Sequence, residues 1–175
     1  MKRRFEQLVD QHGRRLLQVA RLLLGRVDEA EDVVQDTLVK LWSHLRQLDD
    51  GNELPWLVTC TRNACLDRLR GRTRARLALL RVADEHPLSS PTGDLDSGPA
   101  DVLLQDQRAR VLRRGIAALP EPGRSLLILR DIQELDVATV ARALDLSQNQ
   151  VKVYTFRARR ALRRHLEEQS HEQVA

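Results

Sequence analysis

The chain has 175 residues, of which 42% are hydrophobic and 31% are charged, and its formal net charge at pH 7 is +4. This length suits two small domains better than one large one. No apolar run is long enough for a membrane span or a secretion signal, and Cys60 and Cys65 lack the spacing of a disulfide framework or a CxxC site. We therefore expect a cytoplasmic protein without membrane insertion.

Helical periodicity runs through almost the whole chain, and no stretch alternates apolar and polar residues as a strand would. Residues 82–107 interrupt this pattern with three prolines, two glycines, six carboxylates and no Lys or Arg. Such a composition predicts a flexible acidic linker. We expect an all-α fold of two small helical domains, residues 1–80 and 108–168, with a linker over 81–107 and a tail over 169–175.

The first domain contains a sharply amphipathic helix within residues 30–45. Its predicted inward stripe consists of Val34, Leu38, Leu41, Trp42 and Leu45. Every charged residue from 27 to 39 is acidic, and another face of the helix carries Asp32, Gln35, Asp36 and Val39. Two interpretations stay open from these residues alone: a solvated face favoured by the helix dipole, or a surface for a basic protein partner.

The next helix reverses the sign of the charge, with six arginines and only one acidic residue, Asp67, between Arg62 and Arg76. Asn63, Asp67 and Arg70 share one helical face. Asn and Arg can bond base edges in a bidentate manner, and Arg also neutralises phosphate. Arginine-rich helix ends occur without nucleic acid as well, so this stretch alone leaves both interpretations open.

The second domain carries two helices separated by a tight turn. Asp136 can cap the first helix, Asp145 begins the turn, and Ser147 with Gln150 forms a capping box for the second helix. This arrangement predicts a helix-turn-helix. The second helix turns one face inward and leaves an outward face of Asn149, Lys152, Val153, Phe156, Arg157, Arg160 and Arg163. That face is typical of a recognition helix in a DNA major groove, the alternative being an ordinary basic surface.

Three stretches of the chain together resemble the extracytoplasmic-function sigma factors of the sigma-70 family. Residues 5–42 resemble the region with the polymerase-binding helix, residues 53–72 the region that opens and reads the minus-ten promoter element, and residues 118–163 the region that reads the minus-thirty-five element. The resemblance implies an alternative sigma factor. Such a protein binds core RNA polymerase, directs it to specific promoter DNA and assists strand opening, with an anti-sigma factor as a further partner.

The resemblance also implies roles for individual residues. Contacts to core polymerase fall to Asp32, Gln35, Asp36 and Val39. Contacts to the minus-ten element fall to Asp50, Asn52, Trp56, Arg62, Asn63, Asp67 and Arg70, with the loop of residues 48–53 holding a base turned out of the stack. Contacts to the minus-thirty-five element fall to Gln148, Asn149, Lys152, Val153, Phe156, Arg157 and Arg160.

The sequence carries no signature of an enzyme. Its five histidines are scattered without metal-ligand spacing, and no glycine-rich phosphate loop occurs. We therefore expect no catalytic residue, no metal and no cofactor. The main alternative function is a stand-alone helix-turn-helix transcription regulator, which would bind DNA without polymerase.

Overall fold

The structure is a computed structural model that describes residues 1–82 and 103–172. Within these two ranges the chain forms helices and no strand, which confirms the predicted all-α fold. The helices are α1 (Lys2–Leu24), α2 (Val27–His44), α3 (Glu53–Val82), α4 (Leu103–Ala118), α5 (Gly123–Leu127), α6 (Val137–Leu144) and α7 (Gln148–Glu172), and a π-helical turn (Ile128–Ile132) continues α5.

The helices reach into the segments predicted as linker and tail. α3 ends at Val82 and α4 begins at Leu103, so both enter the range 81–107. The predicted flexibility of that linker concerns residues 83–102, which lie outside the described part of the chain. α7 continues to Glu172, inside the predicted tail.

α1, α2 and α3 pack against one another around an apolar core. Gly25 ends α1 in the left-handed conformation, with φ of 73°, and its N–H bonds the carbonyl of Arg21 at 2.9 Å. That conformation suits glycine because it has no Cβ to clash. The chain therefore turns sharply into α2, which lies beside α1.

Trp42 corrects one part of the predicted inward stripe of α2. Its side chain is 43% exposed and stands edge-on to Phe5, with ring centroids 5.1 Å apart. Val33 and Thr37 take buried positions instead, at 0% and 1% exposure. The buried stripe is thus centred further round the helix than periodicity suggested, and the indole lies at its edge.

α1 to α3 are the first set of helices, and α4 to α7 are the second. The second set is centred on α5 and its π-helical continuation. Residues 126–129 are each at most 2% exposed, so this segment is surrounded on all sides. The π-helical turn is closed by the N–H of Gln133, which bonds the carbonyl of Ile128 at 2.9 Å. α7 packs against α5, α4 and α6 and closes this side of the molecule.

The two sets of helices share one hydrophobic cluster. It runs from Leu8 on α1 through Leu57 on α3 to Val140 on α6 and Val151 on α7. α3 packs against α6, and α1 packs against α4 and the π-helical turn. The surfaces of α3 and of the loop before it therefore face the second set of helices.

Candidate functional site

The face of α2 that was predicted to bind polymerase is open to solvent. Asp32, Gln35, Asp36 and Val39 are all exposed, and Val39 has 69% of its surface accessible. Arg68 of α3 lies beside the two carboxylates, with Nη1 at 3.4 Å from Asp32 and Nη2 at 3.7 Å from Asp36. Because the aspartate side chains are 63% and 68% exposed, these pairs are weak and leave the carboxylates available to a partner.

The predicted minus-ten residues of α3 mostly share one face. At 100° per residue, Trp56, Asn63, Asp67 and Arg70 lie within roughly 60° of one another around the helix axis. Asn63, Asp67 and Arg70 are exposed, and Arg70 donates to Asp67 at 2.9 Å. Trp56 is partly buried, with its ring centroid 5.7 Å from that of His44.

Arg62 lies to one side of this face, and its guanidinium already bonds other residues of the protein. Its Nε donates to Ser125 Oγ at 2.8 Å, and its Nη2 lies 3.2 Å from Glu121 Oε2. The side chains of Arg62 and Glu121 are 17% and 27% exposed. The structure thus pairs this predicted DNA contact with residues around the start of α5.

The loop before α3 is also held from the second set of helices. Arg142 of α6 donates to Asn52 Oδ1 at 2.7 Å and to Gly51 O at 3.2 Å. A third contact joins Thr59 Oγ1 to the carbonyl of Ala143 at 2.9 Å. Asp50 in the same loop pairs instead with Arg4 of α1 at 2.8 Å, and its side chain is 96% exposed.

The helix-turn-helix forms as predicted, with its caps in place. Asp136 accepts from Thr139 N at 2.9 Å at the start of α6, and Asp145 ends that helix in the left-handed conformation with φ of 53°. The capping box closes in both directions. Ser147 N donates to Gln150 Oε1 at 2.8 Å, and Gln150 N donates to Ser147 Oγ at 3.1 Å.

The outward face of α7 is exposed throughout. Phe156 is 68% exposed and Val153 38% exposed, so both leave apolar surface unburied. Lys152 and Arg160 form no ion pair with any side chain in the described ranges. All predicted minus-thirty-five residues lie on this accessible part of α7: Gln148, Asn149, Lys152, Val153, Phe156, Arg157 and Arg160.

Arg159 on the neighbouring face of α7 forms an internal ion pair, because it donates to Asp131 through Nε at 2.8 Å and Nη2 at 2.5 Å.

The sequence did not reveal the partners Glu121, Ser125 and Arg142, which contact residues 59 to 91 positions away. No periodic or motif signal marks such distant pairs. Only the packing of α3 against the later helices brings them together.

Two kinds of site find no support in the described residues. No group of three or more His, Cys, Asp or Glu side chains lies close enough together there to hold a metal ion. None of the helices in these ranges is both long and apolar enough to cross a membrane.

Comparison with known proteins assigns the family. The family model described as Sigma-70 region 2 matches residues 8–75, and Sigma-70, region 4 matches residues 109–162. The chain is 32% identical over 161 residues to the ECF RNA polymerase sigma factor SigM of Mycobacterium tuberculosis, a match covering 91% of this chain and 76% of that protein. It is 26% identical over 165 residues to the ECF RNA polymerase sigma factor SigW of Bacillus subtilis, covering 93% of this chain and 88% of that protein.

A solved structure has the same fold over nearly its whole length. The sigma factor RpoE, in its co-crystal structure with the anti-sigma factor NepR from Bartonella quintana, is 26% identical with a TM-score of 0.69, covering 93% of this chain and 96% of that one. The capped helix-turn-helix and the helical region before it therefore have counterparts in both sequence and structure. This chain belongs to the extracytoplasmic-function sigma factors of the sigma-70 family.

Proposed function

We propose that this chain recruits core RNA polymerase through α2 and directs it to promoters through two separate DNA-reading surfaces. As a member of this family it is an alternative sigma factor and not a stand-alone regulator. Sigma factors are initiation factors, so the chemistry of RNA synthesis belongs to the polymerase. We place the protein in the cytoplasm, where core polymerase and promoter DNA are found.

The exposed face of α7 is the observation that carries the DNA-binding part of the proposal. A preformed, capped helix presents Lys152 and Arg160 without ion-pair partners in the described residues, next to an exposed Phe156. Cations suit phosphate, and an exposed aromatic ring suits the thymine methyl group. This surface would read the minus-thirty-five element, with residues 108–168 as its domain.

The acidic face of α2 supports the polymerase-binding part. Two exposed carboxylates, Asp32 and Asp36, lie close to the exposed side chain of Val39. Charged groups around an apolar contact form a typical protein interface, with the charges guiding association and orientation. We assign this face, in the domain of residues 1–80, to core polymerase.

The minus-ten surface would consist of the loop of residues 48–53 and the outward face of α3. Asn63 and Arg70 can bond base edges or phosphates, and the loop would hold one base out of the stack. Arg62 can join them only after leaving Glu121 and Ser125. Engagement of Arg62 by the minus-ten element therefore requires these contacts between the two sets of helices to break.

Polymerase binding makes weak DNA contacts sufficient. Once both domains are held on one enzyme, the second contact becomes intramolecular, and its effective concentration replaces part of the affinity. An anti-sigma factor would act in the opposite direction by covering the polymerase-facing surface. The solved complex of RpoE with NepR supports proposing a partner of this kind here.

Run-off transcription with purified core polymerase tests the proposal. Core polymerase with this chain should start transcripts at defined sites in a genomic fragment library, whereas core polymerase alone should not. The double variant Asp32→Asn/Asp36→Asn should bind core polymerase about tenfold more weakly, since each exposed interfacial charge contributes about 0.7 kcal/mol, within the range of exposed ion pairs, and about 1.4 kcal/mol corresponds to a factor of ten.

The matched control is Glu6→Gln/Asp10→Asn, which removes two exposed carboxylates, also four residues apart, from α1. It should leave polymerase binding unchanged. DNA binding without any specific transcript would contradict the sigma-factor role. Equal polymerase affinity of the double variant and the control would contradict the role of α2.

A further inference from the structure

Arg4, near the start of α1, reaches across to the loop between α2 and α3. Its guanidinium donates to Leu45 O at 3.3 Å, Leu48 O at 3.0 Å, Asp50 Oδ1 at 2.8 Å and Glu53 Oε1 at 2.8 Å. These acceptors lie 41 to 49 residues further along the chain. One side chain therefore ties the beginning, the middle and the end of the loop to α1.

Glu53 completes this arrangement from the other side. Its Oε2 accepts the N–H of Gly51 at 2.7 Å, while Gly51 adopts a φ of 86°, in the left-handed region that favours glycine. Burial opposes the ionisation of Glu53, but hydrogen bonds from Arg4 and from the N–H groups of Glu53 and Gly51 outweigh it and lower the pKa of this carboxyl. Glu53 thus stays charged and fixes both Arg4 and the loop backbone.

The contacts of Arg4 matter because residues 48–52 form no helix or strand of their own. Ordering backbone residues costs conformational entropy, and a loop that becomes ordered only on binding loses that free energy from its affinity. Arg4 and Glu53 hold the loop before any ligand arrives. Asp50 is thereby fixed at the surface, while the side chain of Asn52 is bonded by Arg142 of α6.

We infer that Arg4 is a positioning residue for promoter recognition, which holds the loop of residues 48–53 in the shape that accepts a base turned out of the minus-ten stack. The inference rests on the proposed function of that loop. Arg4 acts through the loop, since its guanidinium is directed to four protein oxygens. A lysine should not replace it, because Nη1 bonds Leu45 O while Nη2 bonds the other three oxygens, and a single ammonium nitrogen cannot occupy both positions.

A purely structural role for Arg4 makes a different prediction. Arg4 joins α1 to the residues that follow α2, so its loss also removes support for the first set of helices. If that were its whole role, stability, polymerase binding and every DNA contact would weaken together. A positioning role instead weakens the response to one DNA position and leaves polymerase binding unchanged.

The test uses holoenzymes assembled from core polymerase and the full chain carrying Arg4→Gln, Arg4→Lys or the control Arg3→Gln. Arg3 is the exposed neighbour, so its replacement removes the same charge without touching the loop contacts. Each holoenzyme is titrated with single-stranded oligonucleotides that cover the minus-ten element of a promoter mapped by run-off transcription. An abasic site is placed at each position in turn, and binding is followed by fluorescence anisotropy.

Wild-type and Arg3→Gln holoenzymes should lose about tenfold in affinity when the base held by the loop is missing, as expected for one stacked and hydrogen-bonded base. Both Arg4 variants should bind the intact strand about tenfold more weakly, and the same abasic site should then cost them less than about twofold. Their polymerase affinity should match that of the wild type.

Two results would overturn the inference. One is an abasic profile of both Arg4 variants that equals that of Arg3→Gln. The other is a parallel loss of polymerase binding and of all DNA positions, which would reveal a structural role only. A flat abasic profile for the wild type would instead remove the proposed role of the loop, and the inference with it.

Discussion

Replacing Glu121 by Gln should increase the affinity of the free protein for the minus-ten strand. Glu121 holds Arg62 in this structure, with 3.2 Å between Oε2 and Nη2. DNA must displace that carboxylate before it can reach Arg62. Weakening the internal pair therefore raises the fraction of molecules whose minus-ten surface is accessible.

The expected magnitude follows from the burial of the pair. Its side chains are 17% and 27% exposed, between the surface pairs that contribute about 0.2–1 kcal/mol and the buried ones whose disruption costs about 3–5 kcal/mol. Glutamine keeps one oxygen acceptor, and Glu121 Oε1 is already buried without a partner, so a loss near 1 kcal/mol is expected. If the closed form dominates, the accessible fraction and the apparent affinity both rise about fivefold.

Fluorescence anisotropy with a labelled single-stranded minus-ten oligonucleotide measures this change at low salt. Arg62→Gln should not share this gain, because it removes the proposed DNA contact together with the internal pair. Glu167→Gln, which removes an exposed carboxylate from α7, controls for the loss of negative charge. If Glu121→Gln binds no more tightly than Glu167→Gln, the internal pair does not compete with DNA and the reasoning is wrong.

Three further predictions concern the second domain. Ser147→Ala, which removes half of the capping box, should lower the free energy of unfolding by about 1 kcal/mol in a urea titration, and an unchanged midpoint would contradict this. Phe156→Ala should weaken holoenzyme binding to the minus-thirty-five element with little change in stability. Val151→Ala, at a position with 0% exposure, should destabilise the fold instead. A larger loss of stability for Phe156→Ala than for Val151→Ala would refute the assignment of the two faces. Hydrogen bonds from the side chain and backbone N–H of Thr139 lower the pKa of Asp136, so the cap stabilises the fold fully above the unfolded pKa of 3.8 and loses this effect as pH falls through the lower folded pKa. Asp136→Asn should therefore reduce the acid dependence of thermal unfolding. An equal pH profile of variant and wild type would contradict this role of Asp136.

The parts of the fold that could be predicted from sequence depend on neighbours in the chain. The Asp136 cap and the Ser147–Gln150 capping box each join residues three positions apart, so a short motif contains all the information. The exposed face of α7 follows from helical periodicity in the same way. Trp42 shows the limit of that method. Periodicity predicts which face of the helix is apolar, but it does not predict whether a large ring at the edge of that face is buried.

The long-range contacts that fix the loop before α3 could not be predicted. Arg4 lies 49 residues from Glu53, and Arg142 lies 90 residues from Asn52. Each is one arginine among many in a chain with 29 Lys and Arg residues, and nothing in its surroundings distinguishes it. Such pairs become visible only when the packing of α1 and α6 around the loop is known.

The same packing gives a physical reason to expect that promoter binding by this chain depends on a third molecule, core polymerase. The contacts of Arg62, Thr59 and Arg142 across the two sets of helices all involve α3 or the loop before it. To convert a population that is 99% closed into one that is 99% open, a ligand must prefer the open form by about 5.5 kcal/mol. Each bond that DNA forms with these residues replaces an internal bond. DNA binding alone therefore supplies little of the free energy that favours the open form. A partner that binds α2 and the second domain at a fixed separation can supply it, because its contacts on α2 replace none of the bonds that Arg62, Thr59 and Arg142 form between the two sets of helices.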